Sequence, residues 1–89
     1  MENKKSFILI TGSSLGIGRC LAINLSANYN IILHGRNPER LEETKSMCSK
    51  ENRQLLLAFD LVKVDEIEKT ISEFIIENNI SISHYVCLL

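Results

Sequence analysis

Apolar residues along this chain fall into four short runs, separated by three longer segments with a helical repeat. The runs lie at residues 7–11, 30–34, 55–60 and 84–89. Their centres are continuously apolar and do not alternate with polar residues, which is typical of strands covered on both faces of a parallel sheet. We therefore predict four buried β-strands.

The first and third intervening segments carry apolar residues at helical spacing. Over residues 17–27 the predicted buried face consists of Ile17, Cys20, Leu21, Ala22 and Leu25. In the third segment the i, i+3, i+7 pattern consists of Val64, Ile67, Ile71, Phe74 and Ile75. Asn78 and Asn79 are expected to end this helix. Each helix should pack its apolar face against the sheet.

The second intervening segment predicts a helix that begins at Asn37 and Pro38. The Asn side chain can accept hydrogen bonds from the first N–H groups, and proline at the first helical position loses no hydrogen bond. The predicted inward stripe is thin and consists of Leu41, Thr44, Met47 and Cys48. The opposite, charged side is interpreted as solvated surface.

Strands and helices thus alternate along the chain. This order favours right-handed βαβ crossovers and a parallel sheet. Because the fourth strand must return beside the first, we predict the strand order 3-2-1-4 within a doubly wound α/β fold. Residues 1–89 are expected to form one domain, with a core that buries only roughly 60 to 65% of the unfolded surface.

Composition and charge exclude several function classes. The formal net charge is −1, and acidic residues are interleaved with the basic ones, so no patch for nucleic acid or anionic lipid is present. No apolar stretch reaches the ~20 residues of a membrane-spanning helix. The polar start leads into a run too short for a secretion signal, so the cytoplasm is the expected location.

The three cysteines, Cys20, Cys48 and Cys87, have no metal-ligand or redox spacing. They are interpreted as small buried apolar residues, and no metal site is predicted. His34 and His84 lie at the ends of predicted strands with no carboxylate or serine at a catalytic spacing. Both histidines are therefore expected to be structural.

A glycine-rich turn stands between the first strand and the first helix. Gly12 permits a tight turn, Gly16 lets the backbone approach a pyrophosphate, and Gly18 allows close packing of the helix. The first N–H groups of a helix, with the positive end of its dipole, favour an anion. Further phosphate contacts are predicted from the hydroxyls of Ser13 and Ser14 and from Ile17. A P-loop is excluded because no Gly-Lys-Ser/Thr follows.

A glycine turn between a strand and a helix predicts a site for the pyrophosphate of a dinucleotide cofactor. The end of the second strand then indicates whether that cofactor is NAD(H) or NADP(H). A free 2′-hydroxyl calls for an acidic partner there, whereas a 2′-phosphate calls for a cation. The sequence at this point is His34-Gly35-Arg36. Arg36 can form charge-assisted bonds to a phosphate, so NADP(H) is favoured over NAD(H). The alternative is that Arg36 is an ordinary solvated loop residue.

The glycine motif TGxxxGxG, formed by Thr11, Gly12, Gly16 and Gly18, resembles that of the short-chain dehydrogenase/reductase family. The amino-acid sequence of residues 9–19 and 59–61 looks most like that of the 3-oxoacyl-acyl-carrier-protein reductases of fatty acid biosynthesis. The resemblance implies the N-terminal half of a Rossmann sheet and hydride transfer between NADPH and a 3-oxo group. It also implies that full-length relatives are homo-oligomeric.

The resemblance further implies that Asp60 accepts a hydrogen bond from the adenine amine and that Leu61 lines the adenine pocket. Asp60 could instead cap the following helix. The family's catalytic Ser and Tyr-x-x-x-Lys come from later elements, and neither Tyr29 nor Tyr85 is followed by lysine four residues on. No catalytic residue is therefore assigned.

Three hypotheses stay open at this point. The chain is the cofactor-binding part of a reductase, a free-standing nucleotide-binding module, or a non-functional truncated product in which Leu88 and Leu89 replace the family's Asn-Asn-Ala-Gly. An apolar fourth strand at the edge of the sheet would also favour self-association of this chain.

Overall fold

A computed structural model describes residues 5–59 and 64–87 of the chain. Four strands alternate with three helices, in the order that the sequence predicts. The elements are β1 Lys5–Ile10, α1 Gly16–Leu25, β2 Asn30–Gly35, α2 Pro38–Met47, β3 Gln54–Ala58, α3 Val64–Asn78 and β4 Ile80–Val86.

The four strands form one sheet in the order β3-β2-β1-β4, and each neighbouring pair is parallel. This confirms the predicted order 3-2-1-4 and the α/β class. In the register, Ile10 of β1 lies beside Leu33 of β2. The carboxyl ends of β1 and β2 are therefore adjacent, and the two connections that leave them meet at one edge of the sheet.

The sheet is covered on both faces. Helices α1 and α2 pack on a cluster that consists of Ile8, Ile10, Ala22, Ile31, Leu33 and Leu41. Helix α3 contributes Ile71 and Phe74 to the opposite cluster, which is built on Phe7, Leu9, Ile32, Leu57 and Ile80. Consecutive residues of β1 and β2 enter opposite clusters, so the centres of both strands, residues 7–10 and 31–33, are continuously apolar, as predicted.

The fourth strand differs from its predicted bounds of 84–89. It runs over Ile80–Val86, where serines interrupt the apolar residues. Phe7 pairs with Ile82 and Ile8 pairs with His84, so Ser83 is an extra residue in a bulge. The prediction was wrong here because β4 lies at an edge of the described sheet and is only partly buried, whereas the predicted pattern was that of a strand covered on both faces.

Several predicted burials in the helices are also wrong. Ile17 is 78% exposed and Cys20 is exposed, because the buried side of α1 is centred on Gly18 and Ala22. At 100° per residue, Ile17 and Cys20 point away from that side. Met47 is 50% exposed for the same reason, since it lies off the stripe of Leu41, Thr44 and Cys48.

The cysteines also divide differently from the prediction. Cys48 is buried, as predicted, whereas Cys20 and Cys87 are exposed. Both helix ends that were predicted from capping residues are confirmed. Asn37 caps α2, and Asn79 follows α3 with a positive φ of 51°.

Candidate cofactor site

The turn between β1 and α1 has the backbone conformation that its glycines predict. Gly12 and Gly16 adopt the left-handed region, with φ of 66° and 62°. A Cβ atom at Gly16 would meet no atom within 4 Å. Gly16 is therefore needed for its backbone conformation, and the space where its side chain would lie is open.

Gly18 is needed for a different reason. A Cβ atom at this position would collide with the carbonyl oxygen of Gly12. Gly18 was predicted to allow close packing of the helix on the sheet, and the contact in the structure is with the turn itself. The first turn of α1 thus lies directly against the backbone that leaves β1.

Ser13 holds the turn against β2. Its side chain is fully buried, and its Oγ accepts a hydrogen bond from the His34 amide at 2.8 Å. The same oxygen lies 3.1 Å from the Ile10 carbonyl oxygen and 3.2 Å from that of His34. The Ser13 hydroxyl is therefore engaged inside the fold, which corrects the expectation that it donates to a phosphate. Ser14 is half-buried, and its hydroxyl stays a candidate donor.

His34 also supports the turn. Its Nδ1 accepts a hydrogen bond from the Gly12 amide at 3.4 Å, and its Nε2 lies 3.0 Å from the Phe59 carbonyl oxygen. These contacts fit the tautomer with its proton on Nε2. The ring packs edge-on against Phe59 at 4.7 Å between centroids. His34 thereby connects the carboxyl ends of β1, β2 and β3.

The N-terminus of α1 is open to an anion. Its N-cap residue, Leu15, makes no side-chain cap hydrogen bond, and the first turn contains no acidic residue. Helix α2 is the contrast, because the Asn37 side chain accepts from the amides of Glu39 and Arg40. The positive end of the α1 dipole is thus left uncompensated by these side chains, and Gly16, the first residue of the helix, has no Cβ to cover it.

Arg36 follows β2 and is exposed. It lines a shallow depression together with Asn37, Pro38, Glu39 and Arg40. A Cβ atom on the neighbouring Gly35 would lie 3.1 Å from Cβ of Ser14, so the end of β2 is close to the glycine turn. The structure therefore brings the turn and Arg36 together at the carboxyl ends of the strands. Asp60 and Leu61, the predicted adenine contacts, lie outside the described residues.

Two further polar residues, Arg19 and Thr44, contact the glycine turn, and their pattern in the sequence predicts no such role. Thr44 of α2 places its Oγ1 3.0 Å from the Ser13 carbonyl oxygen, and the Nε of Arg19 lies 2.9 Å from the same Oγ1. The pairs are 31 and 25 residues apart in the chain, so spacing offered no signal for either contact.

Comparison with known proteins agrees with this geometry. The family described as short chain dehydrogenase matches residues 6–80. The chain belongs to the short-chain dehydrogenase family. This family binds nicotinamide dinucleotides, and the glycine turn at the carboxyl end of β1 is where its fold holds the cofactor pyrophosphate.

The chain is similar to reductases of 3-oxoacyl groups. It is 30% identical to the very-long-chain 3-oxoacyl-CoA reductase of Coccidioides immitis (strain RS), over 93% of this chain and 27% of that protein. A crystal structure of a betaketoacyl-(ACP) reductase from Bacteroides thetaiotaomicron matches with a TM-score of 0.80 at 22% identity, over 94% of this chain and 41% of the other.

A further solved structure adds a ligand to the comparison. A metagenomic short-chain oxidoreductase in complex with NADP matches with a TM-score of 0.74 at 21% identity, over 94% of this chain and 38% of that one. The chain thus spans about a quarter to two fifths of these relatives. Within residues 5–59 and 64–87, none of the helices has the length and apolar character that crossing a membrane requires.

Proposed function

We propose that this chain holds the adenosine and pyrophosphate end of NADP(H) for a short-chain reductase that acts on a 3-oxoacyl group. The observation that carries the proposal is the α1 N-terminus, which lacks a side-chain cap and stands behind a turn with two glycines of positive φ. Backbone amides and a helix dipole at such a turn form a binding site for the pyrophosphate.

In this proposal the pyrophosphate lies against the turn that Gly12 and Ser13 begin, on the amides of Ser14, Gly16, Ile17 and Gly18. The amides of Gly12 and Ser13 hold the turn instead, because they donate to Nδ1 and to the carbonyl oxygen of His34. Ile17 is 78% exposed at the start of α1, so its side chain lies outside the core. Its amide is one of the first-turn N–H groups that have no partner within a helix. Asp60 and Leu61 are proposed to contact the adenine, as the family resemblance implies.

Arg36 is proposed to bind the 2′-phosphate. It is exposed at the sheet edge that carries the turn, and no acidic residue occupies positions 34–36. Glu39 lines the same depression and would oppose a phosphate, whereas Arg40 on that depression would favour one. The two arginines outnumber the single carboxylate there, which supports NADP(H) over NAD(H).

The substrate class is proposed from the similarity to proteins named for it. The curated relative is a 3-oxoacyl-CoA reductase and the solved one is a betaketoacyl-(ACP) reductase. Both names describe a 3-oxo group on an acyl chain, as in fatty acid biosynthesis. When bound, NADPH supplies a hydride to such a carbonyl; this chain's own residues would bind and orient the cofactor.

Calorimetry of residues 1–89 with NADP⁺ and NAD⁺ tests this proposal. Saturable binding of NADP⁺, tighter than binding of NAD⁺, is the expected result. The same titration on the Gly16→Val variant should show little binding, because a β-branched residue resists φ of 62° and would alter the turn. Binding by neither nucleotide at millimolar concentration, with a folded chain shown by circular dichroism, would contradict the proposal.

A further inference from the structure

Thr44 is a buried polar residue outside the glycine motif that contacts the motif's backbone. It lies on α2, and its side chain is inaccessible to solvent. Its Oγ1 is 3.0 Å from the carbonyl oxygen of Ser13 and 3.4 Å from that of Ser14. The buried hydroxyl of Thr44 therefore contacts two consecutive peptide groups of the turn.

The neighbours of Thr44 determine where its proton goes. Arg19 donates from Nε to Oγ1 at 2.9 Å, so the hydroxyl accepts one bond and has its own proton to donate. The Arg40 carbonyl oxygen also lies 3.2 Å from Oγ1, but it already accepts hydrogen bonds from the helical amide of Thr44 and from Nη2 of Arg19, the latter at 3.2 Å. The nearest remaining acceptor is the Ser13 carbonyl.

Arg19 is itself held in place. Its Nη2 lies 3.3 Å from the Glu43 carboxylate, and its side chain is 18% exposed. One guanidinium therefore bonds to α2 at three points, namely Thr44, Arg40 and Glu43. This fixes the oxygen of Thr44 with respect to α1, which begins next to the turn.

Fixing a carbonyl also fixes the amide on the other side of its peptide bond. No cis peptide bond is present among the described residues, so the C=O of Ser13 and the N–H of Ser14 point in opposite directions. With the Ser13 carbonyl directed to Thr44, the Ser14 amide points away from α2. The Ser14 carbonyl oxygen lies 3.4 Å from Oγ1 of Thr44, so the Leu15 amide across that peptide bond also points away from Thr44.

We propose that Thr44 is a positioning residue for phosphate binding, and that Arg19 orients it. By holding the Ser13 carbonyl, Thr44 presents the Ser14 amide to the pyrophosphate and removes the reorganisation that a loose turn would require on binding. This inference rests on the proposed function, because it concerns the same cofactor site.

The test uses two nucleotides that differ at the pyrophosphate. NADP⁺ carries both the pyrophosphate and the 2′-phosphate, whereas 2′-AMP carries only the phosphate assigned to Arg36. Thr44→Val removes the hydroxyl at nearly constant volume and should weaken NADP⁺ binding about tenfold, as expected for a lost buried hydrogen bond. The affinity for 2′-AMP should change less than about twofold, within experimental scatter of the wild type.

Two further variants complete the experiment. Thr44→Ser keeps the hydroxyl and should restore most of the NADP⁺ affinity. Thr70→Val makes the same substitution on α3, at a partly buried position away from the turn, and should leave both affinities unchanged. In NMR spectra the Ser14 amide should shift on addition of NADP⁺ and much less on addition of 2′-AMP.

The outcomes separate this inference from the proposed function. Wild-type chain that binds neither nucleotide would overturn both. Wild-type binding with equal losses for NADP⁺ and 2′-AMP in Thr44→Val, or with no loss, would overturn only the role of Thr44. If Thr44→Val does not fold, the inference is tested instead by the NADP⁺ affinity of Arg19→Met and by the NMR shift of the Ser14 amide in the wild type. An Arg19→Met variant with undiminished NADP⁺ affinity, or an unmoved Ser14 amide, would contradict the inference.

Discussion

Arg36 is the residue whose charge should select between the two dinucleotides. It is exposed beside the depression at the start of α2, so replacing it should not disturb the core. We expect Arg36→Asp to weaken binding of 2′,5′-ADP by about 10- to 100-fold, because a charge-assisted bond is replaced by repulsion. Binding of 5′-ADP should change little.

Lys50→Asp is the matched control for this prediction. It makes the same change in net charge at an exposed position beside the amino end of β3, away from Arg36. Calorimetry of both variants with 2′,5′-ADP and 5′-ADP measures the effect. Equal losses in Arg36→Asp and Lys50→Asp would show that overall charge, and not Arg36, governs the preference.

The thiols should differ in reactivity according to their burial. Burial raises the pKa of the Cys48 thiol, while a hydrogen bond with Ser26 and the charge of Lys50 lower it less. Cys20 and Cys87 are exposed. A thiol reagent should therefore modify Cys20 and Cys87 of the native chain quickly and Cys48 only after unfolding, as peptide mapping by mass spectrometry would show.

The raised pKa of Cys48 also predicts a dependence of stability on pH. The unfolded chain's thiol ionises at a lower pH than the folded chain's, so the free energy of unfolding falls as pH rises above the ordinary thiol pKa. Below that pH the contribution of Cys48 is constant. Urea denaturation from pH 7 to 10 should show a smaller decline for Cys48→Ala than for the wild type; identical declines would refute the assignment to Cys48.

At the scale of the elements, the close contact between α1 and the glycine turn leaves no room for a side chain at Gly18. Gly18→Ala should lower the free energy of unfolding by about 3 kcal/mol, because its Cβ would collide with a backbone carbonyl that cannot move alone. Gly35→Ala is the control, since its Cβ would meet side-chain atoms of Ser14 and Leu41 at 3.1 to 3.2 Å. A loss of about 1 kcal/mol is expected there.

Urea denaturation monitored by circular dichroism distinguishes these two substitutions. The midpoint for Gly18→Ala should fall well below that for Gly35→Ala. A smaller loss for Gly18→Ala than for Gly35→Ala would mean that α1 can shift away from the turn at little cost, contrary to the packing described above.

The elements that could be predicted from sequence are those with a local cause. Strands β1 and β2 have apolar residues for both faces of the sheet, and α2 has its cap in Asn37. The glycine turn was predicted because three glycines must satisfy local backbone and packing constraints. In contrast, β4 begins earlier than predicted, since its pattern mixes serine with isoleucine and contains a bulge at Ser83.

The supports of the candidate site could not be predicted in the same way. His34, Arg19 and Thr44 each bond to groups more than 20 residues away in the chain. Such contacts exist only after β2 and α2 have packed beside the turn, and hydropathy does not reveal a hydrogen-bond partner. Ser13 shows the same effect, because a serine in a phosphate-binding turn looks like a ligand until its burial is known.

At the scale of the whole molecule, the β4 edge is the feature that we expect to govern self-association. Within the described sheet β4 pairs on one side only, with β1. The strand contains no Asp, Glu, Lys or Arg, the residues that usually discourage pairing at such an edge. Beside it, Tyr85 and the α3 residues Ile67, Ile71 and Ile75 line a groove that also contains Glu68 and Ser72.

We therefore expect residues 1–89 to self-associate through this edge at micromolar concentrations. The bulge at Ser83 interrupts regular pairing, but Tyr85 is 58% exposed and presents a large apolar surface beyond it. Tyr85→Lys places a charge on the edge and in the groove, so it should shift the chain towards monomer. Tyr29→Lys is the control, because Tyr29 is 51% exposed, follows α1 and lies outside β4. Sedimentation velocity over a range of concentrations measures the outcome. Monomeric wild type throughout, or an equal effect of Tyr29→Lys, would show that the β4 edge does not drive association, and would favour the chain as a stable, free-standing nucleotide-binding module.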